Sequence, residues 1–322
     1  MTPPYDITPK ILQFISSISH KIGEVKSAHL TKPETHLRKK NRIKTIQSSL
    51  EIEGNTLTEK QITALLNNER VIAPEKDLIE VSNAIDVYDQ LRTFDFKNIT
   101  HFKKAHKTLM SDLIDSNGKF RTSNVGIVKG SKVAHLAPPG DLINGLMKDL
   151  FSYLKNPEEI TLIKSCVFHY ELEFIHPFVD GNGRMGRLWQ TIILLQEHDV
   201  FEYLPIEQLI KENQNEYYNA LNQSDKSGKA TIFIEFMLSI IERALIKRLE
   251  TTSIKLTAES RIRMFIESFN LDNFTRKDYM SFFKKTSTAT ASRDLKLAVE
   301  KGLIMKLGEK RNTTYTIRER QP

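Results

Sequence analysis

The chain has 322 residues, 39% of them hydrophobic and 27% charged, which is the balance of a globular protein long enough for two or three domains. No apolar run approaches the ~20 residues of a membrane span, so a membrane partner is excluded. The net charge of +7 lies wholly in residues 251–322, with 15 Lys/Arg against 8 Asp/Glu, while residues 1–250 carry 32 of each. The single Cys166 cannot form an internal disulfide. With no basic-then-apolar leader at Met1–Asp6, it points to a cytoplasmic home.

The first 36 residues read as a helical piece, with Ile11, Phe14, Ile15, Ile18 and Ile22 at helical spacing and Pro33 as a breaker. Residues 37–54 read as the next helix. It opens basic (Arg38, Lys39, Lys40, Arg42, Lys44), buries Ile43, Ile46 and Leu50, and stops at Gly54, where a helix-ending glycine belongs. Glu53 sits in its last turn, against the preference of the helix dipole, so it has another reason to be there. Thr58 and Gln61 form a capping-box pattern for the helix that follows. Residues 57–115 continue as helices, on stripes through Leu78, Val81, Ile85, Tyr88 and Leu91, then Ile99, Phe102, His106, Leu109 and Leu113. His101 and His106 read as polar residues on a helix face, since no His/Cys/Glu cluster has zinc spacing.

Residues 118–140 break this pattern. Two short β-like runs, Val125–Val128 and Val133–Leu136, flank a turn at Lys129-Gly130-Ser131-Lys132 and read as a hairpin. Two further helices fill 141–175. An apolar run with Trp189 as a core residue covers 188–200. A long helix through Ile232, Phe236, Ile240 and Leu245 finishes near 250. Thr251-Thr252-Ser253 reads as a linker. Beyond it, helices begin around Ile262–Phe269, Phe274–Tyr279 and Ser287–Leu295. Two strands, entered at Leu303-Ile304 and at Thr313–Ile317, flank a turn at Gly308–Asn312.

The most informative stretch is His176-Pro177-Phe178-Val179-Asp180-Gly181-Asn182-Gly183-Arg184-Met185-Gly186-Arg187. Pro177 disfavours helix at His176, and the glycines flanking Asn182 permit a tight loop before the next helix. A loop feeding a helix N-terminus is an anion site. Gly181, Asn182 and Gly183 admit a phosphate to the backbone. Arg184 and Arg187, three apart, offer guanidinium forks from one helix face. Asp180 is a carboxylate placed for nucleotide-bound Mg²⁺. His176 can take a proton from an attacking hydroxyl.

This stretch resembles the signature of the Fic (Fic/Doc) family, His-Pro-Phe-x-Asp-Gly-Asn-Gly-Arg-x-x-Arg, at every fixed position. The resemblance covers roughly residues 37–250. It implies a mainly α fold, with a Fic helical core, a β-hairpin flap and a C-terminal winged helix-turn-helix. The implied regions are 1–115 with an inhibitory helix at about 37–54, a catalytic core at 116–250, and a winged-helix-like domain at 251–322. The implied activity is transfer of AMP from ATP to a Tyr, Thr or Ser hydroxyl of a target protein, or of the chain itself. His176 would be the general base and Asp180 the Mg²⁺ ligand. Asn182 and the amides of Gly181 and Gly183 would take the α/β phosphates, and Arg184 and Arg187 the β/γ phosphates. Ser49, Glu53 and Gly54 match the family's inhibitory motif in its N-terminal version. Glu53 would then pair with Arg187, take the γ-phosphate position and misplace ATP, and in some members such a glutamate also helps remove AMP. The hairpin at Lys129 and Gly130 resembles the flap that holds a target peptide by strand addition. Tyr217, Tyr218 and Asp225 resemble the segment near adenine and ribose, with one tyrosine at the base and the other in the core.

The basic last segment admits either DNA or a protein at the winged helix, with protein docking favoured because the third helix carries only Arg293 and Lys296. A homodimer is in keeping with the resemblance. Two other readings remain: a DNA-binding regulator whose core senses a nucleotide, or a core that transfers UMP or phosphate.

Overall fold

The structure, a computed structural model, describes residues 3–27, 35–129, 132–253, 258–268, 273–283, 286–309 and 313–317. They divide into two units, Met1–Leu249 and Glu250–Pro322.

The first unit contains α1 (Pro9–Ser27), α2 (Thr35–Ile52), α3 (Glu59–Leu66), α4 (Glu75–Asp89) and α5 (Ile99–Leu109). The hairpin strands β1 (Gly126–Lys129) and β2 (Lys132–Leu136) follow. Then come α6 (Ile143–Tyr153), α7 (Thr161–Ile175), α8 (Asn182–Leu195), α9 (Ile206–Glu212), α10 (Gln214–Ser227) and α11 (Thr231–Ser253). The capping box at Thr58 forms as its sequence implies: Gln61 N–H donates to the Thr58 hydroxyl, and Thr58 N–H donates to the Gln61 carbonyl oxygen.

Helices α7 and α8 are buried on nearly every face, so both are central helices. Trp189 of α8 is fully buried against Phe94, Phe102 and Phe151, with ring centroids 5.0–6.4 Å apart, as a core residue should be. One apolar core runs from Ile11 through Ile46 and Leu50 to Leu245. Residues 1–115 and 116–250 therefore share a core, because α2 buries its apolar stripe among the later helices. The hairpin is antiparallel, with Gly126 opposite Leu136 and a bulge between Ile127 and Val128. Gly130 and the side chain of Lys129 lie outside the described residues.

The second unit contains α12 (Ala258–Ser268), β3 (Asn273–Phe274), α13 (Arg276–Phe282), α14 (Thr288–Glu300), β4 (Ile304–Leu307) and β5 (Thr314–Ile317). Its strands form an antiparallel sheet in the order β3-β5-β4, over a core of Ile262, Phe265, Phe274, Tyr279 and Leu295. Two expectations change here. Phe274 is a strand residue paired with Tyr315, not a helix start, and Thr275 caps the helix behind it. Thr251-Thr252-Ser253 is the last turn of α11 rather than a linker; residues of this kind cost a helix only tenths of a kcal/mol each relative to alanine. Phe269, Lys310 and Arg311 fall outside the described residues.

Candidate active site

The loop between α7 and α8 is built by its own side chains. Helix α7 stops at Ile175, and His176 takes a left-handed backbone conformation (φ 50°), with its N–H donating to Leu172 O at 2.9 Å. This is how a helix ends ahead of a proline that cannot continue it. Asn182 closes the loop from the other side: its amide oxygen accepts from Phe178 N and its amide nitrogen donates to Phe178 O, both at 2.9 Å. The Asn182 side chain is thus held within the loop, which leaves the backbone at the start of α8 as its contribution to an anion. Gly181 adopts φ 84°, a conformation that disfavours any side chain with a Cβ, and its N–H donates to Asp180 Oδ1.

Two buried residues hold this loop, and neither stood out in the sequence. His106 of α5 stacks on Phe178 with ring centroids 3.5 Å apart. Its Nδ1 accepts from Gly118 N–H at 2.8 Å, which fixes the tautomer, so Nε2–H donates to Asp180 O at 2.9 Å. Burial pushes it down to about 4, and the imidazole is neutral at physiological pH. The helical spacing that put His106 on a face was right, but that face meets the loop. Arg121 is only 3% exposed and donates to four carbonyls: His176 O (2.7 Å), Ser123 O (2.6 Å), Pro138 O (2.7 Å) and Ile175 O (3.1 Å). One guanidinium therefore ties the end of α7 to both feet of the hairpin. An arginine between two glycine-rich breaks was the only sign of it in the sequence.

The loop faces a cavity of about 760 Å³. The structure brings Glu53, His176, Asp180, Gly181, Asn182, Gly183, Arg187, Tyr217, Tyr218 and Asp225 onto its walls. Arg184 is not among them. It is 4% exposed, donating to Glu80 Oε1 at 2.9 Å and to Asp180 Oδ1 at 3.0 Å. Glu80 also accepts from Asn55 Nδ2 (2.9 Å), so α4 bridges Arg184 to the residues just after Glu53. Tyr217 is buried, its hydroxyl donating to Glu173 Oε1 at 3.2 Å; Tyr218 is half-buried. Asp225 Oδ1 accepts from the Tyr170 hydroxyl at 3.0 Å.

Charge concentrates at the N-terminus of α8. Arg187, 2% exposed, donates from Nε to Ser49 Oγ (3.0 Å) and from Nη2 to Ser49 O (2.9 Å) and Glu53 Oε1 (2.7 Å). Its Nη1 is buried with no hydrogen-bond partner among the described residues. A Cβ built on Gly183 would lie 2.6 Å from Glu53 Oε1 and 3.3 Å from Glu173 Oε1. Two carboxylates thus crowd the helix terminus beside one guanidinium. Burial, and then the Glu53 carboxylate, push Glu173 up to about 7. A glycine-flanked helix terminus lining the cavity, a buried guanidinium with a spare N–H and a carboxylate already seated beside it together make a site for a multiply charged anion.

The Fic/DOC family profile matches residues 96–194, which span the hairpin and this loop. A Fic family protein from Desulfovibrio desulfuricans G20 is 35% identical, each chain covering 100% of the other, with a TM-score of 0.76. The protein adenylyltransferase Fic of Nematostella vectensis is 27% identical over 79% of this chain and 61% of its own length. The namesake from Aedes aegypti is 30% identical over 66% of this chain and 42% of its own. The chain thus spans less than two thirds of the length of these curated relatives. Caenorhabditis elegans Fic-1 (residues 134–508) shares the fold with a TM-score of 0.62 at 20% identity. On a match to its profile across the loop and hairpin, and a full-length likeness at 35% identity, the chain belongs to the Fic/DOC family.

Proposed function

We propose that the chain is a protein adenylyltransferase that moves AMP from ATP to a side-chain hydroxyl of a target protein, and that Glu53 holds it in check. The observation that carries this reading is the Glu53 carboxylate on Arg187 at the α8 N-terminus, in one cavity with His176 and Asp180. A carboxylate is the smallest protein mimic of a terminal phosphate. While it occupies this terminus, a triphosphate cannot seat its γ-phosphate there. The relatives named adenylyltransferases support the same chemistry.

The residues fit the substrate. The spare Nη1–H of Arg187 and the α8 N-terminus offer donors to phosphate oxygens. Asp180, half-exposed at the cavity wall, would take Mg²⁺ together with those oxygens, and the metal would neutralise phosphate charge. In the reaction, the target hydroxyl oxygen forms a bond to the α-phosphorus as the bond to the bridging oxygen breaks, and pyrophosphate leaves. His176, at the cavity wall, takes the hydroxyl proton. The hairpin and the Arg121 link to His176 O would set the acceptor beside that imidazole. Tyr218 and Asp225 line the end of the cavity for the nucleoside.

The test is incorporation of label from ATP carrying it at the α-phosphate, with Mg²⁺ and lysate as target source. Wild type, Glu53→Gly and Glu53→Gly/His176→Ala are compared. Strong labelling in Glu53→Gly that vanishes in the double variant is expected. No labelling in any of the three rejects AMP transfer.

A further inference from the structure

A second cavity, of about 380 Å³, lies at the other end of α2 and within the size range of small-molecule sites. Its walls are mixed. Leu66, Leu91, Phe201 and Leu204 give it an apolar body, and Arg38, Lys39 and Arg42 of α2 line one side. On the opposite wall Glu207 is 2% exposed, and its side-chain hydrogen bonds are long: Tyr88 and Thr191 each donate to Oε1 at 3.4 Å. Arg42 Nε is buried with no hydrogen-bond partner among the described residues, although the guanidinium ion-pairs with Asp89. Glu202, the other acid on the wall, is taken by Arg92 at 2.9 Å. So the cavity has at one side a buried acceptor whose side-chain donors are distant, and at the other a cationic group with a spare donor. Burial pushes Glu207 up to about 7, against the lowering effect of its own backbone N–H and of Arg187.

The cavity also connects to the clamp. Arg42, Thr45 and Ser49 follow at helical spacing along one side of α2, and Glu53 lies just beyond its last residue, Ile52. The Ser49 side chain lies close enough to the Tyr88 hydroxyl, which donates to Glu207, to bear on its charge. Ser49 in turn accepts from Arg187, and Arg187 donates to Glu53. A row of polar groups, Glu207–Tyr88–Ser49–Arg187–Glu53, therefore links the two cavities, hydrogen-bonded at every step except Tyr88 to Ser49.

We propose that this cavity binds a small effector with an apolar body, an anionic group for Arg38, Lys39 and Arg42, and a hydrogen-bond donor for Glu207, and that its occupancy strengthens the Glu53 clamp. The direction follows from the walls. One side belongs to α2 and the other to α4, α8 and α9, so the site is whole only while α2 is docked. A ligand that binds only the docked state shifts the population towards it. The inference rests on the reading that Glu53 closes the nucleotide site.

The probe is 4-aminobenzoate, which carries an aromatic body, a carboxylate and an amine donor. Calorimetric titration into the full chain, wild type and Arg42→Met/Glu207→Gln, tests the site. Binding of labelled ATP with and without saturating probe, in wild type and in Glu53→Gly, tests the coupling. Expected is probe binding to wild type, lost in the double variant, and an ATP affinity lowered about tenfold by the probe in wild type alone. No probe binding at millimolar concentration, or binding unchanged in the double variant, overturns the site. Probe binding that leaves ATP affinity unchanged or raises it overturns the coupling. An ATP affinity that does not rise in Glu53→Gly fails the inhibitory reading instead, whatever the probe does.

Discussion

At the scale of single residues, the loop chemistry depends on what surrounds it. His106 gives two hydrogen bonds and a ring stack to the Asp180–Gly118 region. His106→Phe keeps the stack and leaves a part-buried N–H and C=O unserved, at a cost of up to about 1–3 kcal/mol each. We expect a loss in that range by urea unfolding, and in a Glu53→Gly background a raised KM for ATP. Unchanged nucleotide affinity would show that the ring only fills space. Gly183 is the second case. In Glu53→Gly, an added methyl at 183 still meets Glu173 Oε1 and Arg187 Nη1, within 3.3 Å. Gly183→Ala there should weaken ATP binding about tenfold, equivalent to about 1.4 kcal/mol. Labelled-ATP binding that matches the parent variant would mean that phosphate does not approach this terminus.

At the scale of elements, α2 does two tasks. It buries Ile46 and Leu50 in the main core, and it brings Ser49 and Glu53 to Arg187. The apolar stripe fixes the rotation of the helix, and that rotation aims the clamp. Ser49→Ala removes the Arg187 Nε acceptor but leaves Ser49 O and Glu53 Oε1 in place. AMP incorporation should then fall between wild type and Glu53→Gly. A level equal to that of Glu53→Gly would make the serine, rather than the glutamate, the main restraint. The stripe, the Gly54 stop (φ 94°) and the capping box at Thr58 were all legible in the sequence, because each is a local signal. Glu80 was not. Its pairing with Arg184 joins residues 104 apart, and no local pattern encodes such a contact.

At the scale of the whole molecule, the two cores predict separable stability. A chain ending at Leu249 should keep the helical signal and cooperative melting of the first unit; a loss of the transition on truncation would refute independent cores. Stability should also depend on pH through buried groups. His169 is fully buried between Gln190 (2.8 Å) and Tyr217 (3.1 Å), and burial holds it down at about 3. A lowered histidine favours its neutral form. Its contribution is therefore full above the unfolded value near 6.5 and is lost as pH falls towards 3. Between pH 7 and 5 that amounts to roughly 2 kcal/mol. Glu173 and Glu207, both pushed up to about 7 with burial as the main cause, oppose it by gaining protons in the fold. The difference between wild type and His169→Leu in urea at pH 7 and at pH 5 isolates the histidine term; equal differences at both pH values would rule it out. No described helix is long and apolar enough to cross a membrane.

The sequence by itself determined the helices, the hairpin strands and the loop from His176 to Arg187, because spacing, glycine and proline act within a few residues of themselves. It also placed Glu53 at the C-terminal end of a helix, where the dipole disfavours a glutamate and so marked it for another use; the structure sets it one residue past the last helical residue, Ile52. The tertiary structure alone decided the rest. Arg184 went to Glu80 and Asp180 rather than to the cavity wall, and the Asn182 side chain went into its own loop. His106 and Arg121, unremarkable in the sequence, became the supports of the loop from His176 to Arg187. Those outcomes depend on which distant donors and acceptors burial forces together, and a buried polar group takes whichever partner the packing supplies.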